Sequence, residues 1–236
     1  MAKHTLKKFD AELDDLRAML TRMGGLVEEQ IRYATQALVD SDKELAERVI
    51  TRDTEVDRFE IEIDSICNHI IARHQPTAID LRLVMAMSKT VTDLERVGDE
   101  AKKVAKAADK IIERALTAAN TPQMMSVRYM GEQCAAMLHE VLDAFVRLDA
   151  EAALAIVRRD KEIDQHFRAI TRELVTYMME DARTISTALD IIFSVKSLER
   201  IGDHCKNIAR DVIFIVKGRD IRHLKLDELE REAADQ

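Results

Sequence analysis

The 236-residue chain carries six glycines, two prolines, no tryptophan and 4% aromatic residues, and its commonest residues are good helix formers, which predicts an all-α protein. A net charge of −8 excludes a general affinity for nucleic-acid phosphates, and no apolar run approaches the ~20 residues that cross a bilayer. Cys67, Cys134 and Cys205 are odd in number and far apart, which excludes a disulfide framework and fits a reducing compartment. The N-terminus has no apolar core of a signal peptide, so a cytoplasmic protein is expected, touching membranes only through partners.

In chain order, the first helix is marked by Leu6, Phe9, Leu13, Leu16, Leu20 and Met23, continued by Leu26, Val27, Ile31, Ala34 and Leu38. Asp40-Ser41-Asp42 interrupts it, with Ser41 or Asp42 as the cap of a second helix running to about His74. Pro76 stops that helix, and a third runs from about Thr77 to Leu116. Asn120-Thr121-Pro122 is a linker and helix start. A fourth helix is expected from Pro122 to Leu148, and a fifth after Asp149 to about Glu180. A turn near Asp181-Ala182-Arg183-Thr184 precedes a sixth, ending near Gly218.

The two halves repeat each other. Leu94-Glu95-Arg96-Val97-Gly98-Asp99 returns 104 residues later as Leu198-Glu199-Arg200-Ile201-Gly202-Asp203. Asp53-Thr54-Glu55-Val56-Asp57 returns 107 residues later as Asp160-Lys161-Glu162-Ile163-Asp164, and Met23-Gly24 as Met130-Gly131. The expected architecture is two tandem, similar three-helix bundles, residues 1–118 and 122–218, with a charged C-terminal tail, 219–236, as a frayed helix or disordered. The change of offset places a three-residue deletion in the turn between the second and third helices of the later half.

Residues four apart share a helix face. Asp53 and Asp57 therefore point together, as do Glu95 and Asp99. The centres of these pairs, residues 55 and 97, both lie 21 residues from Pro76, so an antiparallel hairpin brings four carboxylates level. Asp160, Asp164, Glu199 and Asp203 repeat the arrangement about the turn near residue 181. Two like charges ~4 Å apart repel by about 4 kcal/mol at an effective dielectric near 20. Bound cations relieve this, and oxygen-only donors select hard ions such as Mg²⁺, Mn²⁺ or iron. Gly98 and Gly202 each cost their helix roughly 1 kcal/mol relative to Ala, which points to close backbone approach or room for an ion. Arg96 and Arg200 have neighbouring acids such as Glu55 or Glu162 as expected partners.

Other chemistry finds little support. No Glu-x-x-His ligand pair occurs, and no P-loop, dinucleotide fingerprint or nucleophile motif. His204 and Cys205 follow Asp203 but point to other faces, where a core or surface role is expected; His74 is expected to cap its helix. A carboxylate-bridged multinuclear metalloenzyme and a purely structural helical adaptor remain alternative readings.

Arg73-His74-Gln75-Pro76, Asp80-Leu81-Arg82, Asp93-Leu94-Glu95-Arg96-Val97-Gly98-Asp99 and Leu198-Glu199-Arg200-Ile201-Gly202-Asp203-His204, together with Asp53-x-x-x-Asp57 and the duplication, resemble the PhoU family over nearly the whole chain. The resemblance implies a cytoplasmic, non-enzymatic, homodimeric negative regulator of the phosphate-starvation (Pho) regulon and of uptake. Its implied partners are the phosphate ABC-transporter ATPase and a membrane sensor histidine kinase. It also implies two metal sites, Asp53, Asp57, Glu95 and Asp99 in the first half and Asp160, Asp164, Glu199 and Asp203 in the second.

Overall fold

The computed structural model describes residues 2–114 and 122–219, with side chains described from residues 8 and 123 onward in the two stretches. Leu6, the end of the third helix at Leu116, the Asn120-Thr121 link and the tail at 220–236 lie outside the described side chains. The described chain forms six helices: α1 (Ala2–Asp40), α2 (Lys43–His74), α3 (Ala78–Glu113), α4 (Pro122–Arg147), α5 (Ala150–Glu180) and α6 (Ile185–Lys217). A single 3₁₀ turn, Ala182–Thr184, leads into α6. No strand occurs among the described residues, and none of their helices is long and apolar enough to cross a membrane.

The turns follow from local chemistry. Asp42 is the N-cap of α2, its Oδ1 accepting the Leu45 N–H at 3.1 Å. Asp149 caps α5 in the same way through the Ala152 N–H at 2.9 Å. Each cap follows a residue in the left-handed region, Ser41 (φ 57°) or Leu148 (φ 53°), so the duplication preserves even the turn geometry. Gln75, also left-handed, closes α2 by donating its N–H to Ile71 O, and Gly218 closes α6 through Phe214 O. His74 does not cap: its Nε2 lies 2.8 Å from Glu12 Oε2 and its ring rests against Phe9. Gln75 can reach the left-handed conformation that ends the helix, which frees the imidazole to tie α2 to α1.

The apolar stripes enter one continuous core. Leu16, Leu20, Met23, Val27, Ile31 and Leu38 of α1 are buried against α2 and α3, and α4 supplies Val127, Met130, Leu138 and Phe145 to the second bundle. Each such aliphatic side chain contributes about 1.5–3 kcal/mol on burial. Helices α1, α2 and α3 form one bundle and α4, α5 and α6 the other; α1 packs on α4 and α3 on α6, while α2 and α5 touch only their own half.

Glycine sets the α1–α4 crossing. A Cβ on Gly24 would lie 2.2 Å from Leu142 Cδ1, and one on Gly131 would lie 2.3 Å from Thr35 Oγ1. Leu142 and Thr35 are themselves counterparts at the 107-residue offset, so the halves meet about a pseudo-twofold axis. The α3–α6 seam obeys the same relation. Asp93 receives His204 Nδ1 at 2.8 Å, and Glu100, the counterpart of His204, faces Ser197, the counterpart of Asp93. The helices outside this seam, α2 and α5, carry the first acid pair of each half.

Candidate functional site

Asp53 and Asp57 lie on one face of α2, Glu95 and Asp99 on the facing side of α3. The Gln75-Pro76-Thr77 turn folds the two helices into the hairpin that brings them level. Asp53 is 2% exposed, Glu95 and Asp99 are half-buried and Asp57 is exposed, so the group runs from the core to the surface. Burial holds the Glu95 carboxyl above the usual carboxylate range, and the charges of Asp99, Glu60, Asp57 and Asp53 push it the same way. All four expected residues of the first half therefore share one field.

A lysine that the repeat motif carries, and that is not among the expected site residues, stands among them. Lys102 Nζ is 2.5 Å from Asp53 Oδ2 and 3.8 Å from Asp99 Oδ1. In the second half Lys206 Nζ is 2.5 Å from Asp160 Oδ2 and 2.6 Å from Asp203 Oδ1. Each lysine lies three residues beyond the motif aspartate, one helical turn on, and the two are 104 residues apart. The signal was legible: the motif is Glu-Arg-apolar-Gly-Asp-x-x-Lys in both copies. The Asp53 hydrogen bond raises the Lys102 pKa, and although burial opposes it, contact with Asp160 and Asp203 raises that of Lys206. Both ammonium groups thus stay charged and offset part of the carboxylate repulsion.

The motif glycines serve close approach. A Cβ on Gly98 would lie 3.1 Å from Gln30 Oε1, 3.4 Å from Val56 Cγ1 and 3.5 Å from Asp53 Oδ1. One on Gly202 would lie 3.2 Å from Ile163 Cγ2 and 3.4 Å from Asp160 Oδ1. The bare backbone of α3 or α6 thereby admits the inner aspartate of its neighbour.

Arg200 binds elsewhere than expected, and Glu55 has a different partner. Arg200 reaches across the seam to Glu100 Oε1 at 3.3 Å instead of to Glu162, and Glu55 pairs with Arg52 at 3.6 Å. The position of Arg96 and Arg200 about 100° round the helix from the acids turns them toward the α3–α6 seam. There Arg96 and Arg200 line an open hollow with Lys103 and His204. Cys205 is buried, and burial pushes the Cys67 and Cys134 thiols up to about 12, far from reactive thiolates.

Among the described residues, no three carboxylate, imidazole or thiol groups converge closely enough to hold a metal ion as they stand. At the inner aspartates an ammonium nitrogen takes the position between the acids. The donor chemistry nevertheless fits a hard cation. The acids offer oxygen only, the glycine leaves a bare cradle, and at the first site both polar atoms of the buried Gln30 amide lack a partner among the described residues. Asp53, Asp57, Glu95 and Asp99, or Asp160, Asp164, Glu199 and Asp203, would supply such an ion's ligands once the lysine swings aside.

Fold and site together define an all-α protein of two fused three-helix repeats, each with an acidic cluster on its second and third helices. The sequence profile of the PhoU domain matches residues 20–108 and 127–212, once in each half. The phosphate-specific transport system accessory protein PhoU homolog of Pseudomonas aeruginosa is 47% identical over 233 residues, 98% of this chain and 95% of the relative. The accessory protein PhoU of Escherichia coli K12 is 45% identical over 230 residues, 97% of this chain and 93% of the relative. The crystal structure of PhoU from P. aeruginosa superposes with a TM-score of 0.84 at 48% identity, covering 89% of this chain and all of that one. The phosphate transport system regulatory protein PhoU of Streptococcus pneumoniae gives 0.81 at 30% identity, covering 90% of this chain and 98% of the other. The chain belongs to the PhoU family.

Proposed function

We propose that the protein is an accessory regulator of phosphate-specific transport that represses the phosphate-starvation response when phosphate is plentiful. It acts as a cytoplasmic, homodimeric, non-enzymatic adaptor between the phosphate ABC-transporter ATPase and a sensor histidine kinase. The observation that carries this reading is the acidic cluster built twice, at one height, in a family whose relatives are named for the phosphate transport system. Carboxylates presented midway along two rigid hairpins suit docking to a basic partner surface. Cations held by Asp53, Asp57, Glu95 and Asp99, and by Asp160, Asp164, Glu199 and Asp203, would add positive charge and stiffen that face, linking ion occupancy to partner affinity.

The test is genetic and biochemical. Deleting the gene is expected to make alkaline phosphatase constitutive in phosphate-rich medium, and the wild-type chain to restore repression. A chain carrying Glu95→Ala, Asp99→Ala, Glu199→Ala and Asp203→Ala is expected to fold yet fail to repress or to bind the kinase. Full repression and binding by that variant would remove the acidic face from the mechanism.

A further inference from the structure

The duplication invites the reading that both acidic sites do the same work. Three structural counterparts say otherwise, and all three differ in the same sense.

The first is Gln30 of α1. It is 3% exposed, and neither its Oε1 nor its Nε2 has a hydrogen-bond partner among the described residues. Its Oε1 lies 3.1 Å, and Asp53 Oδ1 3.5 Å, from the point where a Gly98 Cβ would sit. The amide oxygen and the inner carboxylate thus face the same bare patch of α3. Polar groups buried this deeply are nearly always paired. Its counterpart 107 residues on is Met137, also fully buried, whose thioether is too soft a donor for a hard cation.

The second counterpart is Glu60, whose charge acts on Glu95, against Phe167. The third is Thr92 against Lys196. Lys196 Nζ sits 5.2 Å over the Phe167 ring and 2.5 Å from Glu199 Oε2. The second site therefore sets Lys196 and Lys206 against Asp160, Asp164, Glu199 and Asp203. Among the described ion pairs, the first sets Lys102 against Asp53 and Asp99, with Asp57, Glu60 and Glu95 in the same field.

We propose that the two sites are not equivalent: the first is the cation-binding site, with Gln30 as its buried neutral donor, and the second is largely neutralised by its own lysines. The ligand is a hard divalent cation held by carboxylate oxygens and one amide oxygen. This rests on reading the acidic pairs as cation sites, and the experiment separates the two claims.

The full chain, stripped with chelator, is titrated with Mn²⁺ while the free ion is followed by electron paramagnetic resonance. The expected result is a tight class of binding abolished by Glu95→Gln and retained in Glu199→Gln. Gln30→Met, which copies the second site's wall, should weaken the tight class about tenfold to a hundredfold. It should leave the chelated protein's melting temperature unchanged or higher, because the amide has no partner to lose. If the amide instead donates to Asp53 as a purely structural group, Gln30→Met lowers that melting temperature and spares Mn²⁺ affinity, which overturns the proposal. So does a tight class that Glu199→Gln removes, or two equal classes. Should Gln30→Met fail to fold, Lys196→Thr serves instead: it should tighten binding at the second site, and unchanged binding counts against the proposal. No Mn²⁺ binding in the wild type or any variant sinks the cation reading itself, and this inference with it.

Discussion

Lys206 Nζ lies 2.5 Å from Asp160 Oδ2 and ties α6 to α5 through a carboxylate that is only 7% exposed. Removing the ammonium strands a buried negative charge. Lys206→Met is expected to cost the metal-free protein about 2–4 kcal/mol. Lys102→Met should cost the same or less, since Lys102 is more exposed. Urea unfolding in chelator measures both, and Mn²⁺ should restore more of the loss in Lys102→Met than in Lys206→Met.

Glu95 supplies a pH signature of opposite sign. Its carboxyl is held above the usual range by burial and by neighbouring acids. A group with a raised folded pKa favours folding below its unfolded value, about 4.3, and loses that contribution as pH rises through the folded value. Glu95→Gln should therefore stabilise the metal-free protein at pH 7, by less than about 1 kcal/mol because the site is partly solvated. The advantage should vanish below about pH 4. Thermal unfolding from pH 4 to 8 checks the trend, and a loss of stability at pH 7 would contradict it.

Glu100 behaves conversely. It is 5% exposed in the α3–α6 seam, with Lys103 at 2.8 Å and Arg200 at 3.3 Å. Burial opposes its ionisation, but Lys103, Ser197 and Arg200 hold the carboxyl below its ordinary value. Its contribution is present above the unfolded value and fades as pH falls through the folded one. Glu100→Gln should cost about 1–3 kcal/mol at pH 7, a difference that closes in acid. Denaturant midpoints at pH 7 and pH 3.5 provide the comparison.

The glycines of α1 and α4 separate propensity from packing. Gly25 is exposed and a Cβ there meets nothing within 4 Å, so Gly25→Ala should stabilise by up to about 1 kcal/mol. At Gly131 the new Cβ would lie 2.3 Å from Thr35 Oγ1 and 2.8 Å from Thr35 Cβ. That atom is next to the backbone and cannot rotate away, so α1 and α4 must separate. Gly131→Ala should destabilise by about 1–3 kcal/mol despite the better helix former. Melting temperatures of the two variants should move in opposite directions.

The periodicity of Leu13, Leu16, Leu20, Met23 and Val27 was enough to define a helix and its buried face, because side chains four apart share a face whatever lies opposite. The break at Asp40-Ser41-Asp42 narrowed the cap of α2 to two residues, of which the structure selects Asp42, since the bond a cap accepts is local. The spacing of Asp53 and Glu95 about Pro76 carried the meeting of the acids, because a hairpin of rigid rods converts sequence distance into height. The partners of those acids depended on tertiary structure. Lys102 was visible in the repeated motif, but only the α2–α3 packing shows that its stem reaches Asp53. Arg200 crosses to Glu100 because α3 and α6 meet along a seam no local pattern encodes. Gln30 lay hidden for the same reason: on its own helix it is one polar residue in an apolar stripe. Only the packing of α3 against α1 and α2 brings its amide and the aspartate to the same glycine, Gly98.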